Sequence, residues 1–282
     1  MKPYRLHVII VAAALLLSIV IYMMPSQVNM KTKPKDSAQV LSGGLDETAL
    51  LQSASSSIDS TQLPILRMLE DALKKNGEKD TALLDQIGRF WDNQKIPAAA
   101  AIWFEKKSSV QKTELSYLDA AYRYFDAFKM AGDSSLRGMM VKRAIANYNK
   151  VIEINPENLN AKTDLGACYA EGTGEPMKGI LLLREVVSKN PEHEMAQYDL
   201  GMLSVKSGQL DKAIERFKKV LEINPKRSEM YFYLGQIYVS KSEPDKAVGY
   251  YESFVKNTND PQAAQEVKKI ISDLKKGKNE SN

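Results

Sequence analysis

Few side chains in this 282-residue sequence have the types and spacing for chemistry. There are two histidines, His7 and His193, and one cysteine, Cys168. No His, Cys, Asp or Glu cluster has the short spacing of a metal site. Gly172-Thr173-Gly174 is a glycine turn, without the Gly-Lys-Ser/Thr that a phosphate loop requires. A lone cysteine closes no internal disulfide, and Cys168 reads as a small apolar residue on a buried helix face. No catalysis, metal, cofactor or small-molecule substrate is expected. One pattern does recur: Asp85, Arg89 and Asp92, then Asp119, Arg123 and Asp126, each at i, i+4 and i+7. On a helix that spacing puts all three on one face. Such a face can recognise a polar partner. Its plain alternative is a solvated surface with intrahelical pairs worth about 0.2–0.5 kcal/mol each.

The elements that position these residues follow from a repeat. Asn-Pro occurs at Asn155-Pro156, Asn190-Pro191 and Asn224-Pro225, in steps of 35 and 34 residues. Leu-Gly keeps the same rhythm at Leu165-Gly166, Leu200-Gly201 and Leu234-Gly235. Two markers on one period define an internal repeat. In the stretch 194–227, Leu200, Gly201 and Ser204 share a face of a first helix, and Gly208-Gln209 turns the chain. Ala213, Phe217 and Val220 share a face of a second helix, which Asn224-Pro225 ends. Residues 228–261 repeat the scheme with Tyr231, Leu234, Gly235 and Tyr238, then Ala247, Tyr251 and Phe254. Residues 159–193 do so with one extra residue in the turn. Each glycine costs about 1 kcal/mol of helix propensity relative to alanine, a cost that makes sense only where another helix packs closely.

A 34-residue helix–turn–helix unit with Leu-Gly, Tyr, Ala, aromatic and Pro at these spacings resembles the tetratricopeptide repeat. The resemblance is strong from Leu159 to Phe254. It extends to 115–158 with an insertion around Gly132-Asp133-Ser134, where Asp133 or Ser134 would cap an extended second helix. It reaches weakly to 81–114, with Ile87-Gly88, Ala100 and Phe104 in register. Ser204 stands where an aromatic is usual, and the glycine is lost at Tyr122. The expected fold is therefore all-α: a right-handed superhelical solenoid of tetratricopeptide type. A capping helix at 63–80 precedes the array of 81–261, a closing helix at 262–276 follows it, and 277–282 is a frayed tail.

The resemblance implies a groove, lined by first helices, that binds peptide segments of partner proteins. The first-helix positions left off the packing face are its candidates. They are Asp85, Arg89 and Asp92; Asp119, Arg123 and Asp126; Asn160 and Thr163, with Ala167; Met195, Tyr198 and Met202; and Glu229, Phe232 and Gln236. Ordinary core packing is the alternative for Met195, Tyr198, Met202 and Phe232. Repeats that grip a C-terminal carboxylate usually present Lys and Asn here. This chain offers Thr163/Ala167, Tyr198/Met202 and Phe232/Gln236, so a partner surface mixed in charge at one end and apolar at the other is expected.

The N-terminus sets the compartment. Leu6 to Met24 are 19 residues without Asp, Glu, Lys or Arg, about 28 Å as a helix and close to a bilayer core of about 30 Å. The run is too long for a cleaved signal and ends in Ile21-Tyr22-Met23-Met24-Pro25, without small residues for a cleavage site. An uncleaved anchor at 6–24 is expected, after a tail of 1–5 and before a polar, Ser-rich flexible linker of 25–62. Lysines and arginine flank the run on both sides, and the short N-terminal tail favours export of the rest, which puts the repeats on the periplasmic side of an inner membrane. A net charge of +4, spread over many ion-forming residues, does not call for nucleic acid. The function expected is a membrane-tethered, non-catalytic scaffold or adaptor. The alternatives are an assembly factor for envelope complexes, as in cytochrome c maturation, or a regulatory subunit of a membrane enzyme.

Overall fold

A computed structural model describes residues 47–279, and every element among them is a helix. There are thirteen: α1 (Glu47–Ser57), α2 (Leu63–Asn76), α3 (Thr81–Asn93), α4 (Pro97–Gln111), α5 (Glu114–Met130), α6 (Ser134–Ile154), α7 (Leu159–Gly172), α8 (Pro176–Lys189), α9 (Glu194–Lys206), α10 (Leu210–Ile223), α11 (Ser228–Ser240), α12 (Pro244–Asn257) and α13 (Pro261–Asn279). Among these residues no helix is long and apolar enough to cross a membrane. The expected tail of 1–5 and anchor of 6–24 lie outside the described residues.

The described residues form two compact units, one ending at Val186 and the other starting at Val187. In the first, α3 packs on α4, α4 on α5, α5 on α6 and α6 on α7. In the second, the same serial order runs from α9 to α13. Loops are short because the sequence stops each helix sharply. Asp80 accepts the Ala82 and Leu83 amides, Thr113 and Ser116 form a capping box, and Asp133 caps α6 through the Leu136 amide.

The repeat glycines sit where helices touch. A methyl group added at Gly201 would lie 2.5 Å from the Phe217 ring, and one at Gly235 would lie 2.6 Å from Tyr251. At Gly166 and Gly179 the backbones themselves approach: a Gly179 methyl would fall 2.3 Å from the Gly166 carbonyl oxygen. The helix propensity given up at these positions is what permits full burial of Phe217 and Tyr251.

The asparagines of the Asn-Pro pairs do more than precede a proline. Asn155 Nδ2 donates to both oxygens of Glu114 (3.0 and 3.1 Å), and Asn158 Nδ2 donates to the same carboxylate at 2.7 Å. In the second unit Asn224 donates to Glu194 at 3.1 Å, and Arg227 pairs with that glutamate. A glutamate at the first position of one repeat thus holds the start of the next. Leu159 has that first position in the repeat between them, and its side chain offers no acceptor.

One expectation is corrected. Residues 47–57, expected within a flexible linker, form α1. Leu50, Leu51 and Ala54 give it an apolar stripe that packs into the cores beside α4. The serines that read as linker are satisfied within the helix, since Ser55, Ser56 and Ser57 donate to the carbonyls of Leu51, Gln52 and Ala54. One helix end also moves outward: α13 includes residues 277–279, expected as tail.

Candidate protein-interaction surfaces

In the first unit the Asp-Arg-Asp trios are not independent faces. Lys107, from the second helix α4, reaches between α3 and α5 and is 8% exposed. Its ammonium donates to Asp85 at 2.6 Å and to Asp119 at 3.2 Å. Arg123 spans the same gap, donating to Asp92 from Nη2 at 2.8 Å and to Asp119 from Nη1 at 3.3 Å. Its guanidinium lies 4.3 Å from the centre of the Phe104 ring. Arg89 closes the chain of charges on Asp85 at 2.6 Å. Three carboxylates and three cations alternate, so the network is neutral and its members are engaged with one another. The hydrogen bonds to Lys107 and Arg89 outweigh burial and hold the Asp85 carboxyl below its ordinary range. Asp126 stands apart, well exposed and 3.4 Å from Lys129.

A second polar network ties α1 to the repeats. Glu105 accepts from Tyr124 (2.6 Å), Arg143 (2.8 Å) and Asn147 (3.0 Å), and Arg143 also pairs with Glu47 at 2.6 Å. Burial and the adjacent Glu105 carboxylate push the Tyr124 hydroxyl pKa upward, so the phenol stays neutral.

On α7, Asn160 is exposed, whereas Thr163 is 1% exposed and donates to the Leu159 carbonyl at 2.8 Å. Thr163, expected to face the groove, is thus interior. Asp164, which the sequence pattern did not single out, is more unusual. It accepts from Tyr148 at 3.3 Å in a setting shared with Cys168, Tyr122, Asp126 and Lys129. Burial lifts its carboxyl pKa to about 6, partly opposed by Tyr148 and Lys129. Cys168 is fully buried, and burial raises its thiol pKa. His193 serves as the N-cap of α9, its Nδ1 accepting from the Ala196 amide at 3.3 Å.

In the second unit the first helices α9 and α11 carry the other candidates. Met195 is 44% exposed, and Tyr198, Met202 and Phe232 are half-buried at the edge of the core. The Tyr198 and Phe217 ring centres lie 6.4 Å apart. Phe232 lies 5.7 Å from Tyr251 and 5.5 Å from Phe254. These residues therefore pack inward with one edge and show the other. Gln236 is 8% exposed, and its Nε2 has no acceptor, so it also falls inside the expected groove line. Glu194 and Glu229 share Arg227, whose guanidinium sits 5.2 Å from the Tyr198 ring centre. Two carboxylates on one guanidinium leave an excess negative charge beside an aromatic edge.

Trios at helical spacing were visible in the sequence; Lys107 was not. A lysine one turn beyond the apolar run from Ala98 to Phe104, and so in line with its buried face, is the signal that could have located it. Among the described residues no group of three or more His, Cys, Asp or Glu could hold a metal ion.

Serial helical hairpins with small residues at the crossings define an all-α repeat protein. Residues 198–264 match the tetratricopeptide repeat family, and the helix pairs on both sides of Val186 have its form. No curated protein sequence matches the chain. A tetratricopeptide repeat protein from Parabacteroides merdae superposes with a TM-score of 0.56 at 17% identity, over 83% of this chain and 88% of its own. PilF from Pseudomonas aeruginosa gives 0.54 at 15%, over 71% and 86%. PilW, described as a widely conserved type IV pilus biogenesis factor, gives 0.52 at 19%, over 78% and 96%. At these identities the likeness is one of fold.

Proposed function

We propose that the chain is a non-catalytic interaction scaffold whose first-helix faces bind segments of a partner protein. The observation that carries this reading is the edge of α9 and α11. Met195, Tyr198, Met202 and Phe232 present apolar and aromatic surface at helical spacing, with the Glu194–Arg227–Glu229 cluster at one end. Methionine and aromatic side chains suit an adaptable binding surface. The Asp-Arg-Asp trios of the first unit contribute less in this reading, because all but Arg89 and Asp126 are turned to ties between helices.

In the same proposal residues 6–24 tether the scaffold to a membrane, with the repeats on the periplasmic side. The tether raises the local concentration of the binding faces near membrane partners. Residues 47–57 are not part of a flexible tether, since α1 is docked on the first unit. An assembly factor for envelope complexes is the second reading, in keeping with the fold shared with PilW.

The test is a pull-down from detergent-solubilised membranes, comparing wild type with Tyr198→Ala plus Phe232→Ala. Loss of one specific partner at unchanged helical content is the expected result. Met195→Glu, at an exposed position, gives the same loss without touching the core. An unchanged partner set in both variants would remove the α9–α11 face from the account. For topology, a reporter fused after Asn282 is expected to be inactive if it works only in the cytoplasm, and cytoplasmic activity contradicts the exported arrangement.

A further inference from the structure

None of the groove candidates lines the cavity of about 530 Å³ that opens in the first unit. It is framed by α1, α2, α3, α4 and the turn between α2 and α3. Leu51, Leu73, Leu84 and Val110 give it an apolar lining, together with Trp103. Lys74, Lys79 and Lys106 stand against Glu70 and Glu78. The cations are in excess. Lys74 is only weakly engaged, 3.8 Å from an exposed Asp71. Lys106 lies 4.3 Å from the Trp103 ring centre, at the junction of charged and apolar lining. Trp103 itself is 7% exposed, and its indole N–H has no acceptor. The volume falls within the range of small-molecule sites, about 300–1,000 Å³, and suits a single acyl chain or ring rather than a peptide of several residues.

We propose that this cavity binds a small apolar monocarboxylate. The hydrocarbon lies against Leu51, Leu73, Leu84 and Val110. The carboxylate is held by Lys79 and Lys106, beside the Trp103 ring. This site is independent of the first-helix faces and does not rest on their function.

The chain's two tryptophans, Trp91 and Trp103, make fluorescence the readout. Octanoate is titrated into the full chain held in phosphatidylcholine nanodiscs, with Trp91→Phe so that Trp103 alone reports. A saturable change is expected, at least about ten-fold weaker for octanol and for Lys79→Glu plus Lys106→Glu, a difference of about 1.4 kcal/mol or more. Octyltrimethylammonium should give no saturable change. The rim variant alters exposed side chains, and unchanged circular dichroism confirms its fold. Octanol binding as tightly as octanoate, a non-saturating response, or equal response in the double reversal overturns the proposal. A response only to an acidic, apolar peptide would overturn it in favour of a protein ligand.

Discussion

At the scale of single residues, Lys107 holds the first unit's polar interior. Its ammonium is shared by Asp85 and Asp119, all three largely withdrawn from water. Replacing it with an apolar residue removes the buried cation they share and leaves Asp85 to Arg89 and Asp119 to Arg123; removing one partner of a buried ion pair typically costs about 3–5 kcal/mol. Lys107→Met is expected to destabilise by on the order of 3 kcal/mol in urea unfolding, whereas Lys129→Met, at an exposed pair, should change stability by under about 1 kcal/mol. Asp164 gives a pH dependence of unusual sign. Its carboxyl has a pKa of about 6 in the fold, against an ordinary 3.8. Between those values the folded state holds more protons than the unfolded one, so stability falls as pH rises from about 4 to about 6 and is level above. The facing groups are Tyr148, Cys168, Tyr122, Asp126 and Lys129, and among them Lys129 and the Tyr148 hydroxyl limit the shift. Asp164→Asn should remove that slope and raise the melting temperature at pH 7.5, as differential scanning calorimetry at several pH values would report. The trios were legible in the sequence because i, i+4, i+7 is local. Their partner, 22 residues beyond Asp85, was not, because pairing between helices depends on the rotation of each about its axis.

At the scale of elements, the period of Leu-Gly and Asn-Pro was enough to place the helix pairs, and the close contacts at Gly166, Gly201 and Gly235 explain why glycine recurs there. Gly235→Ala is expected to destabilise by about 1–3 kcal/mol, because the added methyl overlaps the buried Tyr251 ring. Gly249→Ala, also in a helix but with nothing within 4 Å of the new carbon, should instead stabilise by up to about 1 kcal/mol. Chemical denaturation of the two variants decides the pair. The element that composition concealed is α1. Its serines read as linker because Ser favours turns and caps, yet tertiary contacts from Leu50, Ala54 and the Glu47–Arg143 ion pair override that preference. The Glu114 and Glu194 ties to the Asn-Pro asparagines were hidden for a similar reason. A proline announces a helix end in the sequence, but the use of the preceding side chain shows only once the next repeat is in place.

At the scale of the whole molecule, the repeat fold is that of a protein-interaction scaffold. Interior positions of the candidate list, Thr163 and Gln236, and the internally paired Asp85, Asp92, Asp119 and Arg123 hold the fold together, which leaves the α9–α11 edge as the proposed recognition surface. The most direct test places a photo-crosslinking amino acid at Met195 and Met202, on α9, and separately at Glu215 and Lys218, on the second helix α10. The account predicts crosslinks from 195 and 202 to one segment of one partner protein, and none to it from 215 and 218. Equal capture from both helices, or no shared partner segment from 195 and 202, would contradict it.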